Sequence, residues 1–242
     1  MVGKMEKFVL WFLFLAGSLA QEDLVGNVFL FPKPSVTTYA ILKPKVEKPL
    51  KTLTVCLRSY TSLTRFHPLF SLATRSPDQD NAFLIFPKPP NQFSIYINQE
   101  ENVFKVDPSA TEWKHTCVSW DSASGVIELW IDGKLYPRTV SKKASSIGSP
   151  SSIILGQEQD YFGGGFNVDQ SFVGEISDVH MWDYVLTPDH IQKVLFANMD
   201  FTGNILSWRS LQYELRGQAS SQPKRQCKAL EHHYGLFAKC YE

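Results

Sequence analysis

The chain has no surplus of charge of either sign: 24 Lys+Arg stand against 24 Asp+Glu in 242 residues. A protein that grips nucleic acid through bulk charge needs a basic excess or stripe, so that class is set aside. There is no internal repeat and no low-complexity tract. There is no N-x-S/T acceptor either, so N-glycosylation is not expected. The six His show no metal-protease spacing, and no G-x-S-x-G nucleophile motif occurs. Only four cysteines are present. Long apolar runs are equally scarce: one uncharged stretch, residues 8–20, is 13 residues long, short of the roughly 20 a spanning helix needs.

That one run has a different meaning. Lys4 and Lys7 precede Phe8-Val-Leu-Trp-Phe-Leu-Phe-Leu-Ala16, and Gly17-Ser-Leu-Ala20 follows with small residues at Ser18 and Ala20. A basic start, a short apolar centre and small residues describe a secretory signal over residues 1–20, cleaved after Ala20. Its removal takes Lys4, Glu6 and Lys7 and leaves a net charge of −1. The mature protein is expected to be secreted, extracellular and without a transmembrane anchor. In that compartment disulfides persist, and four cysteines allow three pairings. Cys56 and Cys117 sit in strand-like segments, whereas Cys227 and Cys240 sit in a polar tail. Pairing within each set is the simplest arrangement. For the tail pair, linkage to another chain or free thiols remain open.

From Gln21 to Gly217 short β-branched and aromatic runs alternate with Pro, Gly, Asn and Asp clusters. Ile131-Asp-Gly-Lys134 carries the Asp-Gly hairpin signal. One helix is expected, with Thr187 as N-cap, Pro188 at its first position and Asp189 in its first turn. Roughly ten strands and one short helix predict an all-β, two-sheet antiparallel sandwich of jelly-roll, lectin-like type. Residues 218–242 are polar and turn-rich, and read as an appended C-terminal tail.

Several motifs, in order, carry a resemblance. His115-Thr-Cys-Val-Ser-Trp120, Leu155-Gly-Gln-Glu-Gln-Asp160, Gln170-Ser-Phe-Val-Gly-Glu175 and Asn204-Ile-Leu-Ser-Trp208 are similar to those of the short pentraxin family. The resemblance spans residues 21–217 as one domain. It implies a flattened jelly roll, a Cys56–Cys117 bridge, a ring of five identical subunits and two bound Ca²⁺ per subunit. Calcium takes six to eight hard oxygen donors from adaptable loops, and the acidic segments at 80–81 and 158–160 offer such oxygens at strand ends. The resemblance places calcium-ligand roles on Asp80, Asn81, Glu158, Gln159 through its backbone carbonyl, Asp160 and Gln170. Asn167 stands where relatives carry an acid, so one of the two ions is expected to bind more weakly.

The neighbouring contact surface follows from parity. Asp80, Ala82, Leu84 and Phe86 share one face of an extended strand, and Phe93, Ile95 and Ile97 form a core row that turns Tyr96 outward. Pattern alone leaves Leu84 and Phe86 either in the core or in a patch beside the calcium; the resemblance implies the patch. Family members that hold choline use a Phe and a Glu, which Phe86 and Glu101 match. Tyr96 matches a branch in which an aromatic narrows that space. Expected ligands are therefore phosphocholine, phosphoethanolamine or anionic carbohydrate, bound as by an innate-immune lectin.

Two other classes compete. Sandwich glycosidases set carboxylates at alternate strand positions. Glu158 and Asp160 alternate, but Phe162 occupies the next position and glycines follow, so no enzyme is expected. A structural or assembly protein that binds no ligand through calcium would need neither acidic loop. The remaining aromatics, Trp120, Trp130, Trp182 and Trp208, read as packing residues, and His115 as a packed histidine.

Overall fold

The computed structural model describes residues 23–108, 111–197, 200–232 and 235–241; the proposed signal at 1–20 lies outside them. In chain order the first strands are β1 (Asn27–Phe31), β2 (Tyr39–Lys43), β3 (Thr52–Tyr60), β4 (Phe70–Arg75), β5 (Asp78–Lys88), β6 (Gln92–Ile97) and β7 (Glu100–Lys105). Then come β8 (Lys114–Asp121), β9 (Val126–Ile131), β10 (Lys134–Leu135), β11 (Thr139–Val140), β12 (Ser151–Leu155) and β13 (Gly174–Trp182). The helix α1 (Pro188–Leu195) precedes β14 (Gln212–Arg216) and β15 (Ser220–Pro223), and a terminal hairpin joins β16 (Gln226–His232) to β17 (Gly235–Tyr241).

These strands build two antiparallel sheets. The first runs β10-β9-β8-β3-β13-β1-β15 with β11 beside β9, and the second runs β14-β2-β12-β4-β5-β6-β7. Alternation explains the layering. Leu53, Val55 and Leu57 of β3, Val118 and Trp120 of β8, and Phe83, Ile85, Ile95 and Ile97 of β5 and β6 all enter one buried core between the sheets. The all-β sandwich read from the sequence is therefore present. The Asp132-Gly133 turn has φ of 50° and 80°, the left-handed pair that a two-residue hairpin between β9 and β10 requires.

The helix begins as its sequence dictates. Thr187 Oγ1 accepts the His190 N–H at 3.3 Å, and Pro188 and Asp189 fill its first turn. Ile191 and Val194 turn inward onto the outer face of the first sheet, where they meet Cys56, Cys117, Trp130, Trp182 and Leu186. Cys56 and Cys117 are directly opposite on β3 and β8, with Cα atoms 4.1 Å apart, and are disulfide-bonded. The bridge thus lies under the helix rather than in the sandwich core. The four tryptophans named above are buried, and each indole N–H finds an acceptor: Ser141 O, Glu128 Oε2, Thr202 O and Leu24 O for Trp120, Trp130, Trp182 and Trp208.

Sheet pairing runs past the boundary expected at Gly217. β15 pairs with β1, placing Ser220 opposite Leu30 and Pro223 opposite Asn27, so the sandwich continues beyond Gly217. Ser-Ser-Gln-Pro has no apolar alternation because it pairs at the sheet edge with little to bury. The register of β16 and β17 sets Cys227 opposite Cys240; their side chains lie outside the described residues.

Candidate metal and ligand site

Among the described residues the second sheet has no helix on its outer face. Its outward positions are served instead by loops, chiefly 61–69 and 156–173. Asp80 and Asn81 lie inside β5 rather than beyond its end. Register there slips: Leu72 opposes Phe83, but Thr74 opposes Gln79, so four steps of β5 match two of β4. A bulge of this kind re-aims side chains at a sheet rim. It also breaks the expected parity. Ala82 belongs to the core with Phe83 and Ile85, whereas Leu84 and Phe86 stay outside that core.

Residues 157–173 carry no strand and turn back on themselves. The Asp160 N–H donates to Gly164 O at 3.0 Å. Gly165, at φ +81°, is needed because a Cβ there would come within 2.5 Å of Asp160 Cβ. Gln159 anchors the loop: its amide donates to Ser71 O, Ser71 Oγ and Ser152 O, each at 3.1 Å. Its Oε1 accepts from Gly163 N at 2.8 Å. With the whole side chain engaged, the residue has only its backbone carbonyl left to offer a ligand. Asp80 accepts from Asn81 N at 3.0 Å and from the Gln99 amide. Gln99, in the β6–β7 turn, carried no sequence signal for this contact.

Buried polar atoms without partners are rare in folded proteins. Among the described residues eight buried side-chain atoms have none, and six are amide or carboxylate oxygens, on Gln79, Asn81, Asn98, Gln157, Glu158 and Gln170. Three of the six, on Asn81, Glu158 and Gln170, belong to the expected calcium set. Acceptors cannot satisfy one another; they need a donor or a cation. Burial pushes the Glu158 carboxyl up to about 7, with Asp160 and Asp80 raising it further. A water could donate to one of these oxygens, but it cannot neutralise a buried carboxylate flanked by two acids. Hard, flexible carboxylate and amide oxygens match what calcium takes. By contrast, the one cluster of His, Cys or acid ligands found among the described residues is Cys56, His115 and Cys117, whose two sulfurs are spent on the disulfide. Burial holds His115 down to about 3, aided by Arg58, so the imidazole is neutral.

Asn167 Oδ1 accepts from Asp169 N at 3.0 Å, so its amide oxygen already braces the loop. Downstream, the Gln170 N–H donates to Asn167 O and the Ser171 N–H to Val168 O.

The adjoining surface is more closed than its sequence suggests. Leu84 and Phe86 are 2% and 5% exposed. Tyr96, opposite both Leu84 on β5 and Glu101 on β7, is half-buried. Desolvation, then Glu101, pushes its hydroxyl up to about 12. The Glu101 carboxylate receives the Lys88 ammonium, the Ser94 hydroxyl at 2.6 Å and the Tyr96 hydroxyl, which together hold it below the usual carboxylate range. Lys88 was legible only if β5 is carried through Pro87, which puts it on the Phe86 face. Phe66 was missed altogether; it lies in a loop and stacks obliquely on Phe86, ring centres 5.7 Å apart.

The fold finds a counterpart among known proteins. The Pentaxin family model matches residues 27–223. The chain belongs to the pentraxin family. It is 88% identical to C-reactive protein of Xenopus laevis over 98% of this chain and all of that one. Human C-reactive protein is 44% identical, covering 87% of this chain and 93% of its own. Mouse serum amyloid P-component is 40% identical over 91% and 99%. Among solved structures, a heptameric pentraxin resembling serum amyloid P from Limulus polyphemus superposes with a TM-score of 0.73, at 24% identity, over 82% of this chain and 95% of that one. That likeness concerns the fold.

Proposed function

We propose that this pentraxin is a secreted, non-enzymatic pattern-recognition protein that binds phosphorylated or anionic ligands through calcium. The observation that carries the reading is the group of unpartnered buried oxygens on Asn81, Glu158 and Gln170 beside two further acids, Asp80 and Asp160. Asp80, Asn81, Glu158, the Gln159 carbonyl, Asp160 and Gln170 would hold two calcium ions, the second weakened by Asn167. When bound, calcium presents a hard cation to an anionic ligand oxygen. Leu84, Phe86, Tyr96 and Glu101 then border the rest of the ligand. Because Lys88 already occupies Glu101, a ligand ammonium must compete for that carboxylate, which keeps phosphoethanolamine and anionic carbohydrate beside phosphocholine as candidates.

In this reading residues 1–20 direct secretion, and the mature subunits form a ring of five. Repetition of one weak site around a ring supplies avidity for arrayed ligands on cells or debris. The test is retention on surfaces bearing phosphocholine, phosphoethanolamine or sulfated carbohydrate, in calcium and then in EDTA. The proposal expects retention on at least one surface and release by EDTA. Equal behaviour in both buffers contradicts it and favours the structural, ligand-free class. Sedimentation of the mature protein reports the subunit number.

A further inference from the structure

Apart from the calcium-dependent reading, we infer that the Arg225–Gln226 bond is a cleavage site for a trypsin-like serine protease, whose cut releases residues 226–242 and leaves the sandwich whole. Such an enzyme takes Arg or Lys in a pocket floored by a carboxylate, and it holds its substrate extended, as a strand added along a free edge. The chain has two adjacent basic pairs, Lys142-Lys143 and Lys224-Arg225, and they differ in shape. Lys142 and Ala144 have left-handed φ of 51° and 60°. Around them the Ser141 and Ala144 N–H groups donate to Gly125 O and Ser122 O, so that segment is curled and bonded on both sides. Lys224-Arg225 instead continues β15, the last strand of the first sheet, which is extended and, among the described residues, paired only with β1.

Anchoring to the sandwich runs as far as Lys224. Its N–H donates to Gly26 O at 2.7 Å. Its ammonium pairs with Asp178 at 3.3 Å and lies over the Trp113 ring, 4.2 Å from the centre. That side chain is 14% exposed, whereas Arg225 is exposed and lies between strands. Beyond it β16 and β17 pair with each other and, among the described residues, form a sheet of their own. Cleavage therefore breaks no rung of either large sheet. Water adds across the Arg225–Gln226 amide, leaving a carboxylate on Arg225 and an amine on Gln226. Cys227 and Cys240 both lie beyond the cut, and the Cys56–Cys117 bridge stays with the domain.

The experiment is limited digestion of the native full chain with trypsin, followed by intact mass over time, for wild type, Arg225→Gln and the double variant Lys142→Gln, Lys143→Gln. Wild type is expected to give one early product ending at Arg225, about tenfold ahead of any other cut, because other sites need local opening of paired backbone first. Arg225→Gln should lose that early product, and the double variant should keep it. The clipped domain should melt where the intact chain does and keep the same calcium-induced shift. A first cut elsewhere, no early cut at all, or early loss of residues 226–242 that persists in Arg225→Gln overturns the inference. A fall in melting temperature on clipping overturns it as well, since the hairpin would then support the sandwich. None of these results bears on calcium binding, which the EDTA comparison tests separately.

Discussion

The two outer faces of the sandwich come from the same strand alternation and are finished in opposite ways. On the first sheet the outward residues of β3, β8, β9 and β13 are capped by α1, and the disulfide lies beneath it. Its histidines, buried His115 and half-buried His180, are held neutral by desolvation. On the second sheet no helix among the described residues forms such a cap. A bulge and two loops gather oxygens that have no partner in the protein. The contrast teaches that one face is closed by its own chemistry and the other is left to be completed from outside. Variants on the first face should therefore change stability and leave calcium binding alone, while variants on the second should do the reverse.

The sharpest break in that contrast comes from the disulfide. Replacing Cys56 and Cys117 by Ala releases a closed separation of 61 residues and is expected to cost about 4 kcal/mol in chemical denaturation. Calcium affinity of the folded fraction should not move. A calcium site lost along with the bridge would mean that the faces are coupled.

Acid comes next. Burial holds His180 down to about 4, with Lys45 acting in the same direction and Asp178 opposing. The unfolded group titrates near 6.5, so its folded pKa is depressed. Its contribution is present above pH 6.5 and is lost as pH falls from 6.5 towards about 4, by up to about 3 kcal/mol. His180→Gln should flatten the stability-against-pH curve in that window when measured in EDTA. An unchanged slope would refute the assignment of a neutral His180.

How much of this was written legibly in the chain varies by region. The sheets, the Asp132-Gly133 turn and the Thr187 cap follow from local signals that act within a few residues, and each appears in the structure. Cys56 with Cys117 was the simplest pairing and the one the resemblance implies, and register sets the two directly opposite. The calcium-set residues were nameable because carboxylates and amides announce their chemistry, yet the bulge that brings Asp80 and Asn81 into β5 depends on how β4 pairs with it. That is a non-local fact, and it overturned the parity assigned to Ala82. Phe66 and Lys88 were invisible for a similar reason. One sits in a loop whose position is set by Arg65 reaching Ser171, the other beyond a proline that normally ends a strand. The edge strand Ser220–Pro223 has no pattern of its own and borrows its order from β1.

The smallest expected effect sharpens the second face. Asn167→Asp restores a carboxylate to a loop whose charge tunes affinity, and should tighten the weaker calcium ion on the order of tenfold by calorimetry. Stability without calcium should fall slightly or stay level, since Asn167 Oδ1 already accepts from Asp169 N and Asp can do the same. No gain in affinity would show that position 167 does not reach the ion.

The central claim is that the oxygens of Asn81, Glu158 and Gln170 are unpartnered because calcium completes them. Calorimetric titration of calcium into EDTA-stripped protein, wild type beside Glu158→Gln, tests it directly. The account predicts two binding events in wild type and a rise in melting temperature that EDTA reverses, worth about 2.7 kcal/mol at a hundredfold excess over Kd. It also predicts clear weakening in the variant. Absence of binding heat and of any thermal shift in wild type would contradict it.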